Sequence, residues 1–321
     1  MRRFIIIWIF IVALYGCDDQ NRLTVTEDIF EPGVVTGRVE TDDLKETSGI
    51  VGSIANPSYL WAHNDGGDKP RIFLIDSAGQ IKATIWFDNV KHRDWEDIAI
   101  GPGPDEGKNY VFVGDIGDNE SEHKFKFIYR IEEPALDLTG QIDTTLTKID
   151  CIKIQLPDGS RDAEAMLVDP LTKDIYIFSK REVKVNLYKV AFPQSTTEVN
   201  KAELVLPKLE FNQYEAQSFA KDGEETLING YHSTFYNQVV GSDISPDGLE
   251  IIVKSYSSVY YWKRGKNESI PDALKKTPMM LPYIPEPQGE AIAFDRAGKG
   301  YYTLSEERGK LPQRMFFYRR K

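Results

Sequence analysis

Cysteine is scarce in this chain of 321 residues, with Cys17 and Cys151 as its two examples. Cys17 falls at the end of an export signal described below, so no internal disulfide is expected. Cys151 lies in a strand-like run with Ile149, Ile152 and Ile154. We expect it there as a small buried apolar side chain and not as a nucleophile.

Positive charge is also in short supply. The chain has 39 Lys and Arg residues against 50 Asp and Glu residues, which gives a formal net charge of −11. A protein that binds nucleic acid needs a basic surface to meet the phosphates, so this class of partner is excluded. The acidic balance favours cations or cationic partners instead.

The sequence has no long hydrophobic run. Its one apolar stretch, Phe4 to Leu14, follows a basic start and is too short for a confident membrane span. It leads into Leu14-Tyr15-Gly16-Cys17, which resembles the lipobox of bacterial lipoproteins. This pattern predicts a signal peptide over residues 1–16, a lipid on Cys17, and a polar tether over 17–33. The protein would then be attached to a membrane of the bacterial cell envelope, on the periplasmic side or at the cell surface; a plain signal peptide with an incidental cysteine is the alternative.

Helical periodicity is absent as well, and strand signals dominate from Val34 onward. A short motif recurs five times before an apolar strand, as Ser48-Gly49-Ile50, Glu96-Asp97-Ile98, Glu164-Ala165-Met166, Ser242-Asp243-Ile244 and Glu290-Ala291-Ile292. Each copy is followed by turn residues and then by a second dense apolar strand. Continuous apolar strands indicate burial on both faces, which a propeller blade receives from its two neighbours.

The repeats therefore predict an all-β fold, a single β-propeller over residues 34–321 with five clear blades. The early strand Val34 to Glu40 is expected to close the ring as the fourth strand of the last blade, which leaves no free edge. A propeller with a sixth, abbreviated blade that begins in the stretch from Tyr214 to Phe219 is an alternative. A β-sandwich or two smaller β domains are the alternative fold.

The first strands of a propeller line its central channel, so the acidic residues of the repeated motif should converge at the channel mouth. Several carboxylates around one axis repel each other unless a cation or arginines intervene. An all-oxygen ligand set without cysteine or histidine suits Ca²⁺ or Mg²⁺, and Ca²⁺ accepts 6–8 oxygens in loose geometry. The candidate metal ligands are Asp94, Glu96, Asp162, Glu164, Glu290 and Glu46. In the alternative, Arg93 and Arg161 pair with these acids and tie blade to blade.

Loops that follow the second strands should lie on the same face as these acids. The candidate ligand-binding residues, taken from these loops and from the motif arginines, are Arg93, Arg161, His63, Asp65, Asp115, Asp118, Lys180 and Arg181. A histidine on this face, His63, His92 or His123, is a candidate general acid or base because its pKa lies near neutrality. Trp95, inside one motif, is expected to pack between blades.

Several of these motifs are similar to those of a known group of proteins. On Asp94 to Ile98, Gly114 to Asn119, Asp162 to Met166, Ser245 to Gly248 and Gln288 to Ala291, the chain resembles a group of largely uncharacterised bacterial β-propeller proteins. More distantly it is similar to phytase-like and esterase-like propellers, in which acidic residues on one face hold calcium that positions a phosphoester. The distant resemblance implies a calcium role for Asp94, Glu96, Asp162 and Glu164.

Two functional hypotheses follow. The first is a lipid-anchored, extracytoplasmic propeller, expected as a monomer, that binds a small molecule or a protein at an acidic, calcium-loaded face. The second is a calcium-dependent phosphoesterase in which the metal activates a bound water. The basic residues near the motifs, Arg93, Arg161, Lys180 and Arg181, are few for a highly phosphorylated substrate. Phytase activity itself is therefore disfavoured.

Overall fold

The computed structural model of the protein describes residues 25–182, 184–211, 238–309 and 311–321. Within these ranges the fold is all-β, and its one helix, α1 (Ile270–Leu274), is a short turn between strands. None of the described helical segments has the length and apolarity that crossing a membrane requires. The strands are β1 (Val34–Arg38), β2 (Thr47–Gly52), β3 (Tyr59–Asn64), β4 (Arg71–Asp76), β5 (Ile81–Phe87), β6 (Trp95–Pro102), β7 (Asn109–Asp115), β8 (Lys126–Glu132), β9 (Ile142–Leu146), β10 (Asp150–Gln155), β11 (Ala163–Val168), β12 (Ile175–Ser179), β13 (Val185–Val190), β14 (Asn200–Lys201), β15 (Glu203–Leu209), β16 (Val239–Ile244), β17 (Glu250–Ser255), β18 (Val259–Lys263), β19 (Met279–Leu281), β20 (Gly289–Phe294), β21 (Gly300–Ser305) and β22 (Arg314–Arg319).

The strands form five sheets that surround a common axis as the blades of a propeller. Blade 1 has the order β2-β3-β4-β5-β9, blade 2 β6-β7-β8-β10-β14, blade 3 β11-β12-β13-β15, blade 4 β16-β17-β18-β19 and blade 5 β20-β21-β22-β1. The first strand of every blade packs against the first strands of both neighbours, so the ring is closed. The predicted five-bladed propeller is thus confirmed. The candidate start of a sixth blade, 214–219, lies outside the described residues.

The ring is closed by the N-terminal strand, as predicted. Strand β1 pairs antiparallel with β22, with Val34 opposite Phe317. The chain just before β1 is also held: Val25 bridges to Met280 of blade 4, and Phe30 is fully buried. These two contacts lie within residues 17–33, the stretch that the sequence predicts as a tether. Residues 1–24, with the predicted signal peptide and Cys17, lie outside the described ranges.

The hydrophobic core is divided into five clusters, one at each boundary between neighbouring blades. Burial on both faces of the inner strands follows directly from this division. Trp95 is fully buried between blades 1 and 2, where it packs against Phe87 and Tyr129, as expected. Cys151 was expected to be buried but is exposed, because alternate residues of β10 turn to opposite faces and Ile152 and Ile154 take the core side.

Each first strand carries a β-bulge at the same place, close to the end at which the strand begins. The extra residue in the bulge is Ser48, Glu96, Glu164, Val240 or Glu290 in blades 1 to 5. Bulges re-aim single side chains, and here they deliver three glutamates to the channel mouth. The sequence alignment of blade 4 was wrong by two residues: Val240, and not Ser242, takes the place of Glu96.

Candidate functional site: an acidic hub at the channel mouth

Acidic side chains from four blades meet at the end of the propeller where the first strands begin. We call this cluster the acidic hub, and its members are Asp65, Asp94, Glu96, Asp162, Glu164 and Glu290. Glutamates 96, 164 and 290 come from the bulges, and each is only 3% exposed. The predicted convergence of these carboxylates is therefore present in the fold.

One side of the acidic hub is a triad formed by Asp65, Asp94 and Glu96. Each offers a carboxylate oxygen, and the three oxygens lie within 4.8 Å of one another. Asp65 accepts a hydrogen bond from the backbone of Gly66, at 2.5 Å. Among the described residues, no donor is paired with the carboxylate of Asp94 or Glu96. Gly117 closes this side, because a Cβ there would clash with the oxygens of both carboxylates.

The other side is a second triad, Glu96, Asp162 and Glu164, with oxygens again within 4.8 Å of one another. Two of its three acids, Asp162 and Glu164, have partners. Lys180 forms an ion pair with Oε1 of Glu164, and Arg181 donates to Asp162 at 2.5 Å. Asp162 also accepts the backbone N–H of Asp118, at 2.8 Å. Oε2 of Glu164 is buried and has no hydrogen-bond partner among the residues that the structure describes.

Blades 4 and 5 complete the acidic hub. The hydroxyl of Tyr256 donates to Glu290 at 2.6 Å and accepts from Lys180 at 3.1 Å. Tyr256 follows β17 directly, at the place that Asp65, Lys180 and Glu306 occupy after the second strands of blades 1, 3 and 5. In these four blades, the residue directly after the second strand therefore places a polar side chain beside the bulge residues.

Burial and mutual repulsion raise the pKa values of Asp65, Asp94, Glu96 and Glu164. Burial raises the pKa of Asp65 to about 7, and the charge of Glu290 adds to the rise. The pKa of Glu96 lies well above its usual range because of burial and then the repulsion from Glu164. Burial raises the pKa of Glu164 in the same way, against the attraction of Lys180. Glu306, nearby, has a pKa of about 8, raised by burial and by Glu290. These acids therefore keep their protons up to a higher pH than ordinary carboxyl groups do.

The motif arginines do not pair with these acids. Arg93 forms an ion pair with Asp115 at 3.0 Å and donates to the carbonyl of Phe125. Arg161 pairs with Asp158 and Glu182, at 3.2 and 3.1 Å. The alternative in which these two arginines form ion pairs with the motif acids is wrong, because their ion-pair partners are Asp115, Asp158 and Glu182. Lys180 and Arg181 take that role for Glu164 and Asp162.

Other predicted site residues also have local partners outside the triads. Asp115 lines a cleft of about 470 Å³ between blades 1 and 2, together with Arg93 and Cys151. Asp118 pairs with the buried Lys126 at 3.0 Å. The exposed Glu46 contributes its backbone carbonyl to Asp65.

The histidines are placed away from the acidic oxygens. His63 is fully buried, bonds through Nδ1 to the carbonyl oxygen of Asn64 and packs on Trp95. Burial lowers its pKa to about 4, so it is neutral at physiological pH. His92 packs on the same tryptophan, with ring centroids 4.4 Å apart. Both therefore have packing roles in the described structure.

Two residues of the site were missed from the sequence. Tyr256 follows β17 in the run Ser255-Tyr256-Ser257-Ser258, which has no charged residue, although its position after a second strand was a usable signal. Gly117 lies within the stretch Gly114 to Asn119, and this glycine entered the sequence analysis only through the family resemblance. Its role emerges from the nearby carboxylates, which the sequence does not place.

No protein-family model matches the chain, and no curated protein matches it in sequence. The PQQ-bound aldose sugar dehydrogenase of Streptomyces coelicolor is 12% identical, with 90% of this chain and 98% of that chain covered and a TM-score of 0.47. Hydrazine synthase of Kuenenia stuttgartiensis is also 12% identical, with 81% and 68% covered and a TM-score of 0.39.

Proposed function

We propose that the acidic hub is a binding site for a divalent cation, with Ca²⁺ as the preferred ion and Asp65, Asp94 and Glu96 as its ligands. The observation that carries the proposal is the carboxylate of Glu96. It is buried among other acids and is paired with no donor of the described chain. A buried charge without a partner costs several kcal/mol. A doubly charged ion between the three carboxylates offsets that cost.

The ligand chemistry supports calcium over other metals. The donors are carboxylate oxygens, which are hard ligands, and no cysteine or histidine nitrogen belongs to the triad. Calcium accepts 6–8 oxygens in loose geometry, whereas Mg²⁺ requires a near-ideal octahedron. Asp65 lies in a loop, Asp94 directly precedes β6 and Glu96 is in a bulge. Ligands from such irregular backbone suit the looser coordination geometry of calcium.

A binding role has more support than the phosphoesterase alternative. Glu96 and Glu164 are each 3% exposed, so the space between them suits an ion better than an organic phosphate. Asp162 and Glu164, which the resemblance implies as calcium ligands, already pair with Arg181 and Lys180. In this proposal the cation stabilises the channel mouth, and the channel mouth is the surface that binds a ligand.

We expect calcium to raise the melting temperature, and to raise it more at pH 8 than at pH 5. The pKa of Asp65 is about 7 in the fold against an ordinary value of 3.8. Its contribution to stability is present below about pH 3.8 and is lost as the pH rises through 7, and Glu96 and Glu164 shift in the same direction. At pH 8 the ion takes the place of the lost protons. At 100 times Kd it adds about 2.7 kcal/mol of stability.

Differential scanning fluorimetry with and without calcium at the two pH values measures this. Magnesium at equal concentration serves as the comparison ion. An absence of any shift at pH 8 with saturating calcium contradicts the proposal. A larger shift at pH 5 than at pH 8 contradicts the assignment of the titrating acids as the ligands.

We also propose that the propeller is held at the bacterial cell envelope by a lipid on Cys17, as the lipobox-like stretch suggests. Cells grown with a labelled palmitate analogue should incorporate label into the wild-type protein and not into Cys17→Ser. Equal labelling of the two proteins, or labelling of neither, contradicts the proposed lipid on Cys17. The cation-binding proposal does not depend on this result.

A further inference from the structure

The two triads of the acidic hub have similar oxygen geometry but different internal partners. In the first, Asp65 accepts one backbone hydrogen bond and the carboxylates of Asp94 and Glu96 have no paired donor in the described chain. In the second, cationic side chains contact two of the three acids. The hub therefore has two positions suited to a cation, and the chain itself provides charge at one of them.

Lys180 is fixed in that position from several directions. It is 5% exposed, pairs with Glu164 and donates to the hydroxyl of Tyr256 at 3.1 Å. Its ammonium nitrogen lies 5.2 Å from the centre of the Tyr256 ring, within cation–π range. Tyr256 continues the chain of contacts to Glu290 in blade 5. Burial acts to lower the pKa of Lys180, but Glu164 and the neighbouring acids raise it, so the side chain stays charged.

Oε2 of Glu164 remains without a partner, and the side chain of this glutamate is only 4% exposed. One ammonium therefore satisfies one oxygen of the carboxylate and leaves the other. One carboxylate oxygen of Glu164 lies within 4.8 Å of an oxygen of Glu96 and of an oxygen of Asp162.

We infer that Lys180 is a built-in cation that occupies the second ion position of the acidic hub, and that it thereby limits the hub to one exogenous divalent ion. This inference rests on the proposed cation site and names the residue that sets its stoichiometry. An ammonium is a compact charge with three donors, so it substitutes for an ion among carboxylates without carrying an open coordination position. Removal of the ammonium should open the second triad to a second ion.

The test is the variant Lys180→Met, which keeps the apolar stem and removes the charge. By equilibrium dialysis with radioactive calcium, we expect about one ion per chain for the wild type and about two for the variant. Without calcium the variant should melt below the wild type, because Glu164 and Glu290 lose their counter-charge. With saturating calcium most of that difference should disappear. Lys82→Met is the matched control, since Lys82 pairs at 2.9 Å with Asp76 outside the hub, and its stoichiometry should stay at about one.

The outcomes separate the inference from the proposed function. One ion in the wild type and one in Lys180→Met leaves the cation site standing and overturns the role of Lys180. A variant that does not fold even in saturating calcium also overturns it, since an ion should replace the lost ammonium. No ion bound to the wild type overturns the cation site and the inference together.

Discussion

Glu96→Gln should abolish the response to calcium and at the same time make the calcium-free protein more stable. The amide keeps the shape of the side chain and removes a buried charge that Glu164, Asp65 and Asp94 repel. Two unit charges about 4 Å apart contribute roughly 4 kcal/mol at an effective dielectric constant of about 20. Since about 1.4 kcal/mol corresponds to tenfold in affinity, we expect Kd for calcium to rise by at least about 100-fold. Isothermal titration and thermal melts without calcium measure the two effects.

Glu120→Gln is the matched control, because Glu120 is an exposed acid near the same face that belongs to neither triad. It should leave both the affinity and the melting temperature as in the wild type. If Glu96→Gln binds calcium as tightly as Glu120→Gln does, Glu96 is not a ligand. If Glu96→Gln lowers the stability of the calcium-free protein, the charge of Glu96 is already balanced by other groups of the fold.

Asp97→Ala should produce the largest loss of stability from a single side chain near the channel. Asp97 is 2% exposed and accepts backbone N–H groups from Ile98 at 2.8 Å, Met166 at 2.7 Å and Ser242 at 3.4 Å. These donors belong to blades 2, 3 and 4, so one carboxylate joins three blades. Each buried donor left without an acceptor costs about 1–3 kcal/mol, and we expect a total loss of about 3–5 kcal/mol.

Asp97→Asn should cost less than Asp97→Ala, because its amide oxygen still accepts one of these bonds. Urea unfolding of both variants, followed by far-ultraviolet circular dichroism, gives the two free energies. Asp137→Ala is the control, because it makes the same substitution at an exposed position, and it should leave the free energy of unfolding nearly unchanged. A loss below about 1 kcal/mol for Asp97→Ala contradicts the role of Asp97 as a link between blades.

The architecture was readable from the sequence because each blade repeats strand, turn and strand in one order. Apolar runs such as Tyr110 to Val113 require burial on both faces, and a ring of blades provides it. The closing strand β1 was also predictable, since the last blade otherwise lacks a fourth strand. These features depend on local patterns that repeat, which a single sequence displays well.

The register of blade 4 was not readable, for a physical reason. Ser242-Asp243-Ile244 looks like Glu96-Asp97-Ile98, and Asp243 does accept a backbone N–H from the next blade, that of Phe294 at 2.8 Å. The bulge, however, places Val240 at the position of Glu96. A bulge is fixed by the pairing with the second strand, and this pairing leaves no clear mark in the inner strand alone.

The convergence of the acids could be predicted, but their partners could not. Arg93 and Arg161 precede the motif acids in the sequence, yet both extend to other carboxylates, at Asp115 and Asp158. Lys180 and Arg181, from the loop after a second strand, reach the acids instead. Side-chain direction over distances of a few ångströms depends on the packing between blades, which the repeats do not specify.

The most direct test of the cation site is diffraction from crystals of the wild type grown with Tb³⁺ in place of calcium, measured for anomalous scattering. The account predicts one strong peak at the channel mouth, about 2.3–2.6 Å from carboxylate oxygens of Asp65, Asp94 and Glu96. The same crystals of Glu96→Gln should lack that peak. A wild-type map without anomalous density between these three residues, or with ions bound only at the outer surface, contradicts the account.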